Sequence, residues 1–252
     1  DWMKKNVCDF SGPLSAEKFA GGQSNPTFKL SAGDRKFVLR RKPPGQLLAS
    51  AHAVDREFRV IAALQDTDVP VPGAVALCKE DEIIGSMFYL MEYLEGRVFW
   101  DPVLPELTND ERSAVYDDMN RVLAAMHSIN VADVGLGDYG RPGNYFERQV
   151  GRWTKQYRAS ETQTVPAMEE LMAWLPENIP DDDRTTIVHG DYGLNNVVVH
   201  PTEPRIVAVL DWELSTLGHP VADLSYHLAG RMMPGGSFGK LADEELPALG
   251  IP

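Results

Sequence analysis

A chain of 252 residues, 43% hydrophobic and 24% charged, has the make-up of an ordinary globular protein, large enough for one sizeable domain or two lobes. Its net charge of −13 argues against nucleic acid or an anionic membrane surface as the main partner, because both need a positive footprint. No apolar run approaches the roughly 20 residues of a membrane span, and Cys8 and Cys78, without CxxC spacing, support neither a disulfide scaffold nor a zinc module. The opening "DWMKKNVCDF" has no apolar leader segment and no initiator Met, and a reducing cytoplasm is the expected location.

From the N-terminal side, Thr27-Phe28-Lys29-Leu30 and Lys36-Phe37-Val38-Leu39 read as two strands around an Ala32-Gly33-Asp34 turn. Pro43-Pro44-Gly45 breaks the pattern. "SAHAVDREFRVIAALQ" then places Val54, Phe58, Ile61 and Leu64 at helical spacing. Val69 to Leu77 and Gly85 to Tyr93 read as further strands, which completes a small β-rich unit with one helix. Thr108-Asn109-Asp110-Glu111 is a capping box opening a helix, with Val115, Met119, Val122 and Met126 as its buried stripe. A glycine-rich loop from Val134 to Gly143 and a helix over 145–159 follow.

The chemistry concentrates in "IVHGDYGLNNVVVH", residues 187–200, a polar loop pinned between two apolar runs. Asp191 is a candidate general base for a hydroxyl. Asn196 offers a neutral oxygen suited to a hard cation such as Mg2+. At the end of the next apolar run, Ile206 to Leu210, stands Asp211, placed for a second metal contact. Base, neutral ligand and acidic ligand are the minimal kit for phosphoryl transfer, in which positioning and charge neutralisation carry most of the catalysis.

His189-x-Asp191-x4-Asn196 followed by Asp211-Trp212-Glu213 resembles the catalytic loop and metal motif of the aminoglycoside phosphotransferase family. The resemblance runs from Phe19 to about Leu228. "FVLRRKPPG", "AHAVDREFRVIAAL" and "VLDWELSTLGHPVADLSY" are most similar to a branch associated with acyl-CoA dehydrogenases, fused or free-standing. It implies an α+β, bilobal protein-kinase-like fold: a nucleotide-binding N-lobe over residues 1–94 and a mainly helical C-lobe over 95–252, with further helices after Pro252. It also implies ATP and Mg2+ as cofactors and a small-molecule hydroxyl as acceptor. Asp191 would act as base with His189 shaping the loop, and Asn196 and Asp211 would hold the metal. Asp223 would brace the loop, with Glu213 as a further metal or substrate contact.

In the N-lobe, Arg40 stands where such enzymes carry a strand lysine, and Glu57 is its expected helix partner. Arg is bulkier and bidentate, so the exchange is not neutral. Gly21, Gly22, Gln23, Ser24 and Asn25 would turn over the phosphates, and Glu92, Tyr93 and Leu94 would form the adenine hinge. His127 reads as a satisfied core histidine, and the run Asp181 to Asp183 as a solvated loop. Two other function classes stay open. One is a nucleotide-binding pseudokinase, suggested by Arg40. The other is a metallohydrolase using His189, Asp191 and Asp211 with His200 or His219. The branch implies a hydroxyacyl acceptor or its CoA thioester. A polyanionic CoA would need basic residues such as Arg141, Arg148, Arg152, Lys155 or Arg158, which read more simply as a solvated helix face.

Overall fold

The computed structural model describes residues 1–8, 10–19, 25–43, 53–232, 241 and 245–252. Its N-terminal part runs through helix α1 (Trp2–Asn6), strands β1 (Leu14–Lys18), β2 (Thr27–Ala32) and β3 (Arg35–Arg41), and helix α2 (Val54–Leu64). Strand β4 (Ala74–Cys78), the one-turn helix α3 (Asp81–Ile84) and strand β5 (Phe88–Glu92) follow. The five strands make one antiparallel sheet in the order β1-β2-β3-β5-β4. The expected hairpin forms between β2 and β3: Ala32 pairs with Arg35 across Gly33-Asp34, and Gly33 takes φ +59°. Residues 44–45 of the expected break and 50–52 of the expected helix lie outside the described residues.

Alternation along the strands gives the sheet two apolar faces. Phe37, Phe88 and Leu90 join Met3 and Val7 in one cluster, while Val38, Tyr89 and Met91 join Val54, Ile61 and Leu64 of α2 in the other. Strand β4 begins at Ala74 rather than at Val69, because Pro70 and Pro72 have no N–H to give to a ladder. Strand β1 and the short helices α1 and α3 go beyond the sequence reading.

The C-terminal part contains α4 (Asn109–His127), α5 (Tyr145–Ser160), α6 (Pro166–Glu177), β6 (Thr186–Val188), β7 (Val197–Val199), β8 (Ile206–Val209), β9 (Thr216–Gly218) and α7 (Val221–Ala229). The capping box of α4 is formed: Thr108 Oγ1 accepts from Glu111 N at 3.3 Å, and Glu111 Oε2 accepts from Thr108 N at 2.9 Å. Val115, Met119, Val122 and Met126 are all fully buried. Strands β6 and β9 form one two-stranded sheet, β7 and β8 another. A single apolar cluster runs from Val38, Leu64 and Tyr89 through Val115 and Met119 to Ile187 and Trp212, so the two parts share one core. The fold is α+β, with an antiparallel sheet unit ahead of a mainly helical one. No helix among the described residues is long and apolar enough to cross a membrane.

Candidate active site

The loop 189–196 joins β6 to β7, and helix α7 holds it from beneath. The Asp223 carboxylate, fully buried, accepts from His189 N and from Gly190 N, both at 2.8 Å, and stands 3.1 Å from His127 Nε2. Two backbone donors that strand pairing leaves unmatched are thereby satisfied by one charged acceptor. Gly190 takes φ +84°, and a Cβ there would meet the Leu214 carbonyl oxygen at 2.9 Å, so only glycine fits. His189 Nδ1 accepts from Asp191 N at 3.2 Å, which leaves Nε2 as the protonated nitrogen donating to Leu210 O at 2.8 Å. Complete burial lowers the His189 pKa and keeps the ring neutral. In the loop it forms a hydrogen-bonded link between Asp191 N and Leu210 O. Asn196 Nδ2 donates to both the backbone oxygen and Oδ2 of Asp191, at 2.8 and 2.9 Å, so the amide oxygen is the atom left to offer to a cation.

Strand β8 brings in the second half. Leu210 N donates to Asn196 O at 2.8 Å while its carbonyl receives His189, so one residue laces the two loops together. Asp211 follows with φ +62°, a left-handed conformation that Asp tolerates and that recurs where side chains are held for function. Arg40 Nη2 reaches Asp211 Oδ1 at 2.5 Å and Glu213 Oε2 at 3.5 Å. Its Nε lies 3.1 Å from Glu57 Oε2 but is not aligned for a hydrogen bond. Glu57, fully buried on α2, accepts from Tyr89 Oη and from Asn25 Nδ2, each at 3.0 Å. Asn25 Nδ2 also reaches Glu213 Oε2 at 3.2 Å.

Burial alone would lower the Arg40 pKa, but Glu57, Tyr89 and Asp211 outweigh it and raise the value. Burial pushes Glu57 up to about 7; Arg40 opposes that shift, and Asp211 and Glu213 add to it. Oxygens of Glu57, Asp211 and Glu213 all lie within 4.8 Å of one another. An all-oxygen donor set fits a hard cation such as Mg2+. Among the described residues this acidic group contains no imidazole. His219 Nε2 lies 3.3 Å from Asp182, and His200 Nδ1 accepts from turn N–H groups of Thr202 and Glu203, so the imidazole set a metallohydrolase would use is not assembled.

The profile of the phosphotransferase enzyme family matches residues 15–245. The chain belongs to that family. It is 49% identical over 245 residues to acyl-CoA dehydrogenase family member 10 of Mus musculus, a match covering 96% of this chain and 23% of that protein. The chain thus spans about a quarter of the length of the curated relatives it matches. A crystal structure of a candidate aminoglycoside phosphotransferase from Ralstonia eutropha JMP134 superposes with a TM-score of 0.91 at 54% identity, covering 100% of this chain and 74% of that one. Aminoglycoside phosphotransferase APH(4)-Ia, solved with ADP and hygromycin B, has a TM-score of 0.62 at 18% identity over 89% of this chain and 73% of that one, a likeness of fold alone. Both resemblances read from the sequence, to the family and to its dehydrogenase-associated branch, stand on these matches.

Of the residues singled out in the sequence, Asp191, Asn196, Asp211, Glu213, Arg40, Glu57, Asn25 and Asp223 come together around the two loops. Gly22, Gln23 and Ser24, with Gly21, lie outside the described residues. Glu92 ends β5 and donates its N–H to Gly73 O at 2.8 Å. The Tyr93 ring faces Lys29 and Lys36, with ammonium groups 4.7 and 5.6 Å from its centroid, and Leu94 follows it. A groove of about 600 Å3 lies along the start of β3, Glu92 and Tyr93, but contains none of Arg40, Asp191 and Asp211.

The basic helix face is solvated and partly self-paired: Arg158 meets Glu161 and Glu169, and Arg148 donates to Arg141 O. His127 has Asp223 as its partner, as a core histidine should. Asp183, in the acidic run, is more than solvated, since its Oδ1 accepts from Asn144 N at 2.7 Å ahead of α5. Sequence reasoning missed Tyr89 and Tyr226. Tyr89 stands directly opposite Arg40 in the β3–β5 register, and Tyr226, three residues after Asp223 on α7, pairs with Asp191.

Proposed function

We propose that this protein is a small-molecule kinase, transferring the γ-phosphoryl group of ATP to an alcohol with Asp191 as the base. The observation that carries the reading is the lacing of Asp191 to Asn196 and, through Leu210, to Asp211, opposite the Arg40–Glu57 pair. Mg2+·ATP, when bound, supplies the phosphoryl group and the charge neutralisation its transfer needs. Asn196 and Asp211 would hold the cation, with Glu213 beside them. Arg40, whose Nε lacks an aligned acceptor, would turn part of its guanidinium to phosphate oxygens. Asn25 would lie beside the phosphates, and Glu92, Tyr93 and Leu94 would border the adenine, with the lobes divided near residue 94. Asp191 would accept the hydroxyl proton as the alcohol oxygen bonds to the γ-phosphorus and the bond from that phosphorus to the β–γ bridging oxygen breaks, releasing ADP.

The dehydrogenase names of the relatives support a hydroxyacyl acceptor, free or as its CoA thioester, and association with an acyl-CoA dehydrogenase, while two free cysteines fit action in a reducing cytoplasm. The test is ADP release across a panel of hydroxyacyl compounds. Asp191→Asn should slow turnover by about 100-fold or more. Undiminished turnover in that variant would remove Asp191 as base. Arg40 in the lysine position favours one second reading, a nucleotide-binding module without turnover, which the same assay would show as ATP bound but no ADP released with any acceptor.

A further inference from the structure

A cavity of about 460 Å3 contains Asp191 but none of Arg40, Asp211 and Glu213. Its volume is in the range of small-molecule sites. Trp100, Tyr192, Leu194, Tyr226 and His227 contribute to its wall. Among the described residues lining it, Asp191 is the only carboxylate, and there is no lysine or arginine.

Of the polar groups in this wall, two tyrosine hydroxyls are spent on backbone. Tyr116 and Tyr192 donate their hydroxyls to Pro102 O at 2.6 Å and Met119 O at 2.8 Å, so what they present is ring. His227 packs 5.8 Å from the Tyr192 ring and 6.2 Å from Tyr116, and burial, helped by Arg231, lowers its pKa to about 4, leaving it uncharged at neutral pH. Tyr226 is the exception: its phenol pairs with the Asp191 carboxylate, in the way an acceptor hydroxyl would have to. Burial and that pairing raise its pKa, so it remains a donor.

A polycation would require several carboxylates here, and the described residues of the wall include one. A single quaternary ammonium could use aromatic faces. However, the Arg231 guanidinium already lies 5.5 Å from the Tyr116 ring centroid and sets a positive charge behind the wall.

We propose that this cavity is the acceptor site and takes an alcohol whose body next to the reacting hydroxyl is uncharged and apolar, the hydroxyl replacing the Tyr226 phenol on Asp191. The inference rests on the reading of Asp191 as the base and names the chemical class that base serves. Trp100, 73% exposed, would cover the apolar body.

Saturation-transfer NMR tests this without requiring turnover, using 1,2-octanediol, choline and kanamycin as probes on the protein and on Trp100→Ala. The expected result is transfer to the octanediol methylenes, falling about threefold or more in Trp100→Ala, as loss of an aromatic contact implies, and none to choline or kanamycin. Transfer to choline or kanamycin that Trp100→Ala diminishes would overturn the proposal. So would octanediol signals that are absent or indifferent to Trp100→Ala. Calorimetry with Mg2+·ATP on the unmodified protein separates the two readings. ATP binding without octanediol binding sinks the acceptor class alone, whereas octanediol binding without ATP binding sinks the kinase reading and leaves the occupant of the cavity standing.

Discussion

The two sides of the catalytic loop are built from opposite materials. On one, Arg40, Glu57, Asp211, Glu213 and Asn25 crowd charge and amide groups into a network held by side chains from separate elements. On the other, the wall beside Asp191 is largely ring and aliphatic surface, with the Tyr116 and Tyr192 hydroxyls bound to backbone and the Tyr226 phenol on Asp191 itself. The loop between them is held differently again, by backbone hydrogen bonds to one buried carboxylate. A side-chain network could re-pair around phosphate and a metal ion, whereas a backbone-anchored loop would keep the proposed base, Asp191, in place. On the proposed reading, the first face would handle charge and the second would receive the acceptor body.

The strongest way to break this contrast is to remove the floor both faces share. Asp223→Ala leaves two buried backbone N–H groups and His127 without their acceptor and should cost about 3–5 kcal/mol in urea unfolding. Next comes the charged face alone. Arg40→Met strands Glu57 beside two other carboxylates and should cost about 2–4 kcal/mol, part of it recovered when Glu57→Gln is added.

The two faces should also answer pH in opposite directions. Glu57, raised to about 7 from 4.5, binds its proton more tightly in the folded state, so its stabilisation is full in acid and lost as pH rises through that window. His227, lowered to about 4 from 6.5, stabilises fully above 6.5 and loses that contribution as pH falls toward 4. Between 4.5 and 6.5 the slopes oppose. Glu57→Gln should make the stability curve rise with pH, and His227→Phe should make it fall, by about 1–3 kcal/mol each across the window. The smallest effect belongs to Trp100→Ala, which should change stability by no more than about 0.5 kcal/mol because the ring is mostly exposed.

What could be read from the sequence was what local spacing encodes. Asp191, Asn196 and Asp211 sit at fixed offsets on loops after apolar runs, and the capping box and stripe of α4 are periodic features of one helix. The Arg40–Glu57 pair came through resemblance to a family, not through spacing. Tyr89 was hidden because its contact with Glu57 depends on the β3–β5 register, and Trp100 because it reaches the cavity from a loop far along the chain. Strand β9 was hidden for a similar reason: three residues pair only with β6, a non-local partner. Tyr226 did leave a signal. It lies one helical turn after Asp223, so whatever element braces the loop was bound to bring that tyrosine toward the base.

If the proposed reading holds, Asp211 binds a cation that nucleotide binding on the charged face needs. Calorimetric titration of ATP into the protein and into Asp211→Ala, each with and without Mg2+, tests it most directly. Binding should require Mg2+ and weaken at least about tenfold in the variant, a difference of about 1.4 kcal/mol or more. Binding that ignores both Mg2+ and Asp211, or no binding under any condition, would contradict it.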